Sequence, residues 1–192
     1  MNAQLQAIVD DLDSASRRLG ALGAVVSCDA WDRRPAAGQW SPAECLEHLN
    51  LTSTALVPML RRALEDARTA GPRTGSSYRR DVTGWLIWTV MAPSNGLKTK
   101  TIPAFVPSAT QRADRLIAEF ERLQAAVIAC VREADGLPID RVKLESPFDA
   151  RVKYNLYSVL TLVPRHQHRH LRQAQRAASA SEQLTSASAL AV

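Results

Sequence analysis

Gln39-Trp40-Ser41-Pro42-Ala43-Glu44-Cys45-Leu46-Glu47-His48-Leu49 decides the fold. Ser41 offers an N-cap hydroxyl, and Pro42 fills the first helical position, where its missing N–H is no loss. Glu44 stands where a capping-box carboxylate reaches back to the cap. From this start Leu46, Leu49, Leu56, Leu60 and Leu64 recur at helical spacing, so a long amphipathic helix is expected, fading near Gly71-Pro72.

The same periodicity extends in both directions. Upstream, Leu5, Ile8, Leu12, Leu19, Leu22 and Val26 predict a first helix from about Gln4 to about Val26. Downstream, residues 70–107 are the least regular and predict one short helix, around Trp85 to Met91, inside a long connection. Ser108-Ala109-Thr110-Gln111 repeats the capping-box logic and opens a helix carrying Leu116, Phe120, Leu123, Val127 and Val131, which ends at Gly136-Leu137-Pro138. Ser146-Pro147-Phe148 reads as a loop, since no stretch shows a convincing alternation of period two. A last helix is expected from about Tyr154 to about Ala178, with Pro164 either kinking it or marking its start. The fold class is therefore all-α: an antiparallel four-helix bundle over residues 1–178, with a long connection carrying a short extra helix, followed by a Ser/Ala-rich tail at 179–192.

Composition agrees with one globular domain. The 192 residues are 46% hydrophobic and 22% charged, which excludes a disordered or collagen-like chain. A chain of this length buries roughly 70% of its unfolded surface and needs no metal to build a core, so a metal would point to function. The net charge of +5 sits on no basic block. Cys28, Cys45 and Cys130 are odd in number and lack CxxC spacing, against a disulfide framework or thiolate zinc site. The N-terminus is acidic where a secretory signal is basic. The longest apolar run, Gly84 to Ala92, is far shorter than the ~18–20 residues a membrane span needs. The expectation is a cytoplasmic protein with no membrane partner.

Four histidines occur, and three lie in Arg165-His166-Gln167-His168-Arg169-His170. At about 100° per residue, His166 and His170 fall within about 40° of each other and can converge on one ion, while His168 projects elsewhere. His48 lies on the shoulder of the second helix and offers a third imidazole. Three neutral imidazoles with open positions suit a catalytic zinc, and equally nickel, iron or copper. Because imidazole binds only when unprotonated, occupancy is expected to fall below about pH 6.5. The competing reading is a set of amphipathic side chains closing a bundle end through hydrogen bonds. Gln167 follows His166 where an HExxH protease has glutamate, so protease chemistry is not expected.

Trp40-Ser41-xx-Glu44-xxx-His48-Leu49 resembles the WSxxExxxHL segment of the DinB-like superfamily, and His166-xx-Arg169-His170-Leu171-x-Gln173 is similar to its closing HxxRHLxQ helix. The resemblance covers about residues 1–178. It implies a four-helix bundle that binds a divalent metal, commonly nickel or zinc, through one histidine of the second helix and two of the last: here His48, His166 and His170. Relatives of that kind include thiol S-transferases working with bacillithiol or mycothiol, a mycothiol-dependent isomerase, and others described as metal-dependent hydrolases. The resemblance thus implies a small-molecule substrate and a low-molecular-weight thiol as candidate cofactor, with thiol transfer or hydrolysis as the chemistry. A non-enzymatic bundle that binds a metal or small ligand is the alternative.

Supporting residues are less sharply marked. Glu44 could orient the His48 imidazole, although its capping role suffices to explain it; Gln173 is either a support for His170 or a packing amide. Cys45 shares the His48 face and reads as a small core residue. Arg165, Arg169, Arg172 and Arg176 form a basic stripe, a solvated face by default, with Arg169 and Arg172 as candidate anion contacts; no nucleic-acid motif accompanies it. Trp85, Trp88 and Met91 line a pocket, cover a homodimer interface or, by default, pack on the bundle. Trp40 is expected to staple the helix start rather than to face substrate.

Overall fold

A computed structural model of the chain describes residues 1–91, 101–108 and 111–190, the last seven of these as backbone alone. Within them the order is α1 (Ala3–Val25), α2 (Cys28–Asp32), α3 (Pro42–Thr69), α4 (Val82–Val90), a 3-10 turn (Pro103–Phe105), α5 (Ala113–Glu133), β1 (Lys143–Ser146), β2 (Asp149–Asn155) and α6 (Leu156–Leu190). The chain is all-α in class, with one small hairpin.

Local chemistry sets most boundaries as expected. The Glu44 N–H donates to Ser41 Oγ at 3.2 Å and the Ser41 N–H donates to Glu44 Oε2 at 2.8 Å, completing the capping box of α3. That helix ends at Thr69, just before Gly71, whose φ of +84° only glycine adopts readily. The short helix of the connection is α4, capped by Asp81, which accepts from the Gly84 N–H at 2.9 Å.

Four expectations are corrected. Ser108 does not open α5, which starts at Ala113 behind Arg112. The Ser108 N–H and hydroxyl instead donate to Glu47, at 2.9 and 2.8 Å, so its capping groups are engaged elsewhere; Ala109 and Thr110 lie outside the described residues. The stretch around Pro147 is an antiparallel hairpin, not a loop: Leu144 and Tyr154 pair across it and turn inward, between exposed Glu145 and Lys153. The last helix begins at Leu156, where Asn155 accepts from the Ser158 N–H at 2.8 Å, and it runs through Pro164. Nor does it stop at Ala178. Alanine is the best helix former, and the helix continues to Leu190, with Ser181 fully buried and its hydroxyl donating to the Arg33 carbonyl at 3.2 Å. Only Ala191 and Val192 of the expected tail fall outside the described residues.

Cross-helix contacts give the directions of the four long helices. Asn2 meets Asp135 and Leu12 meets Gln124, so α1 and α5 run antiparallel. Gln4 meets Tyr157 and Asp11 meets His168, so α1 and α6 run parallel. Asn50 meets Leu116 and Arg68 meets Glu133, so α3 and α5 also run parallel. Parallel helices adjacent in the chain require a crossover the length of the bundle, which is what the segment between Thr69 and Ala113 supplies.

Two apolar clusters fill the interior. One joins Leu5 to Leu12 of α1 with Leu60, Leu64, Leu123, Val127, Leu156 and Leu160; the other joins Leu19 and Leu22 with Leu46, Leu49, Phe120, Leu171 and Ala174. Between them Gln124 and Gln167, both buried, exchange hydrogen bonds at 2.7 and 3.1 Å, and Gln124 also donates to the Leu12 carbonyl. Gln167 lies between His166 and His168 in the sequence, and His166 meets His48 of α3. No helix among the described residues is long and apolar enough to cross a membrane.

Candidate metal centre

The capping box fixes the start of α3, and His48 follows Glu44 one turn later on the inward face, 2% exposed. Its Nδ1 lies 2.8 Å from the carbonyl oxygen of Phe105 in the 3-10 turn. A carbonyl only accepts, so Nδ1 carries the proton and Nε2 presents a bare lone pair. This is the tautomer a metal-binding imidazole needs, fixed by the kind of outer hydrogen bond such imidazoles use. The 3-10 turn is held to α3 by the two hydrogen bonds from Ser108 to Glu47, next to His48 in the sequence.

From α6, His166 Nε2 comes to 3.3 Å from His48 Nε2, and the His170 ring centroid lies 4.5 Å from that of His48 and 4.6 Å from that of His166. One donor nitrogen from each ring falls within 4.8 Å of the others. Two nitrogens about 2.0–2.1 Å from one ion at the tetrahedral angle stand about 3.3 Å apart, the separation found between His48 and His166. His170 Nδ1 is shut off from solvent and has no hydrogen-bond partner among the described residues, a group that a cation would satisfy. The donor set therefore fits a divalent metal of the borderline class.

Electrostatics keeps the rings neutral. Burial lowers the pKa of His48 against the opposing pull of the Phe105 carbonyl. Burial, then the charges of His170, His48 and Arg169, drives His166 well below the ordinary histidine range. Burial, then His48 and Arg169, takes His170 to about 3, with Gln173 acting in the opposite direction. Three uncharged imidazoles, each with one bare nitrogen at neutral pH, are ready donors.

A family model of the DinB superfamily matches residues 11–174, which include all three histidines and reach one turn beyond His170. The chain belongs to the DinB superfamily. No curated protein and no solved structure matches it. Within this DinB chain the other expected site residues separate. Glu44 does not reach His48: its carboxylate takes the Ser41 N–H and a two-pronged ion pair from Arg34. Burial pushes that carboxyl up, but the Arg34 and Ser41 hydrogen bonds and the Arg34 charge bring it below its usual range. Gln173 sits against His170, as a supporting amide would. Cys45 is 1% exposed within the second core cluster, and burial pushes its thiol up, so it is a packing residue. Arg169 belongs to the electrostatics of the DinB cluster, whereas Arg172 lies in a groove beside α1.

Two aromatic walls escaped the sequence reading. Trp40 is more than a staple: its ring lies 5.0 Å from His48 and 5.9 Å from His170. Phe148, at the hairpin turn and 41% exposed, packs 4.9 Å from Phe105 and 6.2 Å from His166. The WSxxExxxHL pattern already contains Trp40. Phe148 could be placed only by recognising the hairpin.

Proposed function

We propose that this DinB-superfamily chain is a metal-dependent enzyme that holds one divalent cation, nickel or zinc, on His48, His166 and His170. The proposed reaction is thiol transfer or hydrolysis on a small-molecule substrate in the cytoplasm. The observation that carries the reading is the 3.3 Å approach of His48 Nε2 to His166 Nε2 while the Phe105 carbonyl holds the other His48 nitrogen.

Bound there, the ion supplies Lewis-acid chemistry, lowering the pKa of a thiol or water and polarising an electrophile beside it. The chain's own residues supply the rest. Phe105 fixes the His48 tautomer, and Glu47 anchors the turn that carries Phe105. Neutral histidines keep protons from competing for the donor nitrogens. The positive charge of Arg169, already felt by His166 and His170, favours an anionic nucleophile at the same place. Trp40 and Phe148 offer apolar walls for the uncharged part of a substrate and keep part of the water away.

The test is turnover by untagged protein loaded with zinc or nickel. It is offered a panel of low-molecular-weight thiols with an electrophilic acceptor, and separately an activated ester in water. Metal-dependent turnover in one arm, reduced at least ~100-fold in His48→Ala, is expected. Metal-loaded protein inert in both arms would replace the enzyme with a binding module.

A further inference from the structure

The arginine stripe of α6 does not form one surface. At about 100° per residue, Tyr157, Thr161, Arg165, His168 and Arg172 share a sector of about 80° on α6 that is centred about 160° from the mean direction of His166 and His170, with Arg165 at its near edge. With α1 and α4 they line a groove of about 540 Å³ that also receives Arg18 and Arg80. Four arginines thus line it, with Asp11 the one acidic residue of the lining. Among the described residues, none of the four is in an ion pair.

The arrangement of two of them is specific. The Arg165 guanidinium carbon stands 3.8 Å from the centroid of Trp88, and that of Arg80 stands 4.4 Å from the same ring. Arg80 Nε donates to Thr161 Oγ1 at 2.8 Å, which fixes that side chain. Arg165 Nε is buried and has no hydrogen-bond partner among the described residues. A guanidinium lying over an aromatic face keeps its in-plane N–H groups for another acceptor, and a planar oxyanion satisfies such a fork best. Two cations sharing one ring repel each other and are partly stripped of water, so the free protein holds them at a cost that a bound anion would remove.

We propose that this groove is a second ligand site, on the face of α6 away from the histidine cluster, for a small organic anion. Its carboxylate or phosphate group meets the Arg80 and Arg165 guanidiniums, and its apolar body lies along Ile8 and Pro164. The site does not depend on the metal reading, because α1 and α4 build it together with a different face of α6.

The experiment is calorimetric titration of metal-free, untagged protein at low salt with phenyl phosphate and, separately, benzoate. Saturable binding of at least one is expected, the tighter probe naming the charged group. Affinity should fall ~10-fold or more in Arg165→Gln and in Arg80→Lys, which loses the fork but keeps the charge. Arg176→Gln, at an exposed position of the same helix, should bind as wild type. Added salt should weaken binding by screening. Thermal melts establish that each variant is folded, and Arg80→Lys keeps the test alive if Arg165→Gln is not. No saturable binding of either probe up to about 10 mM, or unchanged affinity in a folded Arg165→Gln or Arg80→Lys, overturns the proposal.

Discussion

His170 links the histidine cluster to stability through pH. An exposed imidazole in the unfolded chain takes a proton near pH 6.5, but His170 in the folded chain resists one until about pH 3. Between those values the unfolded state binds more protons than the folded state, so stability falls as pH falls and is unaffected above the ordinary histidine pKa. Between pH 7.5 and 5, His170 alone should cost the metal-free protein on the order of 2 kcal/mol, with His48 and His166 adding in the same direction. Denaturant titrations of metal-free protein at the two pH values check this; equal stabilities would mean the rings are not buried as described. The expectation that occupancy fades below pH 6.5 moves accordingly, because ordinary histidine titration does not describe these rings. The histidines were legible at this scale because their side chains are rare and their spacing periodic. The Phe105 carbonyl was not, since a backbone oxygen 57 positions from His48 leaves no mark in the sequence.

Individual elements were legible where a local side-chain rule decides them. Ser41, Pro42 and Glu44 fix the start of α3 through hydrogen bonds that close within four residues. Ser108 looked like the same device but serves Glu47 instead, a partner that only the folded chain brings near. The hairpin is written in the alternation of Lys143 to Ser146 and Arg151 to Tyr154, weak because Leu144 and Tyr154 are the only large apolar side chains buried among them and the third buried residue, Ser146, is polar. Gly84 marks the tightest junction. A Cβ built there would stand 2.0 Å from Ser158 Oγ, so α4 seats against α6 only without a side chain. The neighbouring Asp81 carboxylate ties the junction by accepting from the Gly84 and Asn155 N–H groups and the Ser158 hydroxyl. Gly84→Ala should therefore destabilise the fold by about 1–3 kcal/mol despite the better helix propensity of alanine. Chemical denaturation reads this directly, and a gain in stability would contradict the packing.

At the scale of the whole molecule, helical content and the number of long helices followed from periodicity, but their directions did not. Sequence periodicity says which face of a helix is buried and nothing about which helix lies beside it. The long crossover between α3 and α5 was visible only as irregular composition, yet it makes these two helices parallel and delivers Phe105 to His48. The antiparallel approach of α3 and α6 then brings His48 to face His166 and His170. The account's central claim, one cation shared by imidazoles from two helices, is tested most directly by metal content and X-ray absorption on untagged protein. One divalent ion per chain with nitrogen ligands is predicted, lost in each of His48→Ala, His166→Ala and His170→Ala while the variants stay folded. Folded variants that retain the full complement of metal would contradict it.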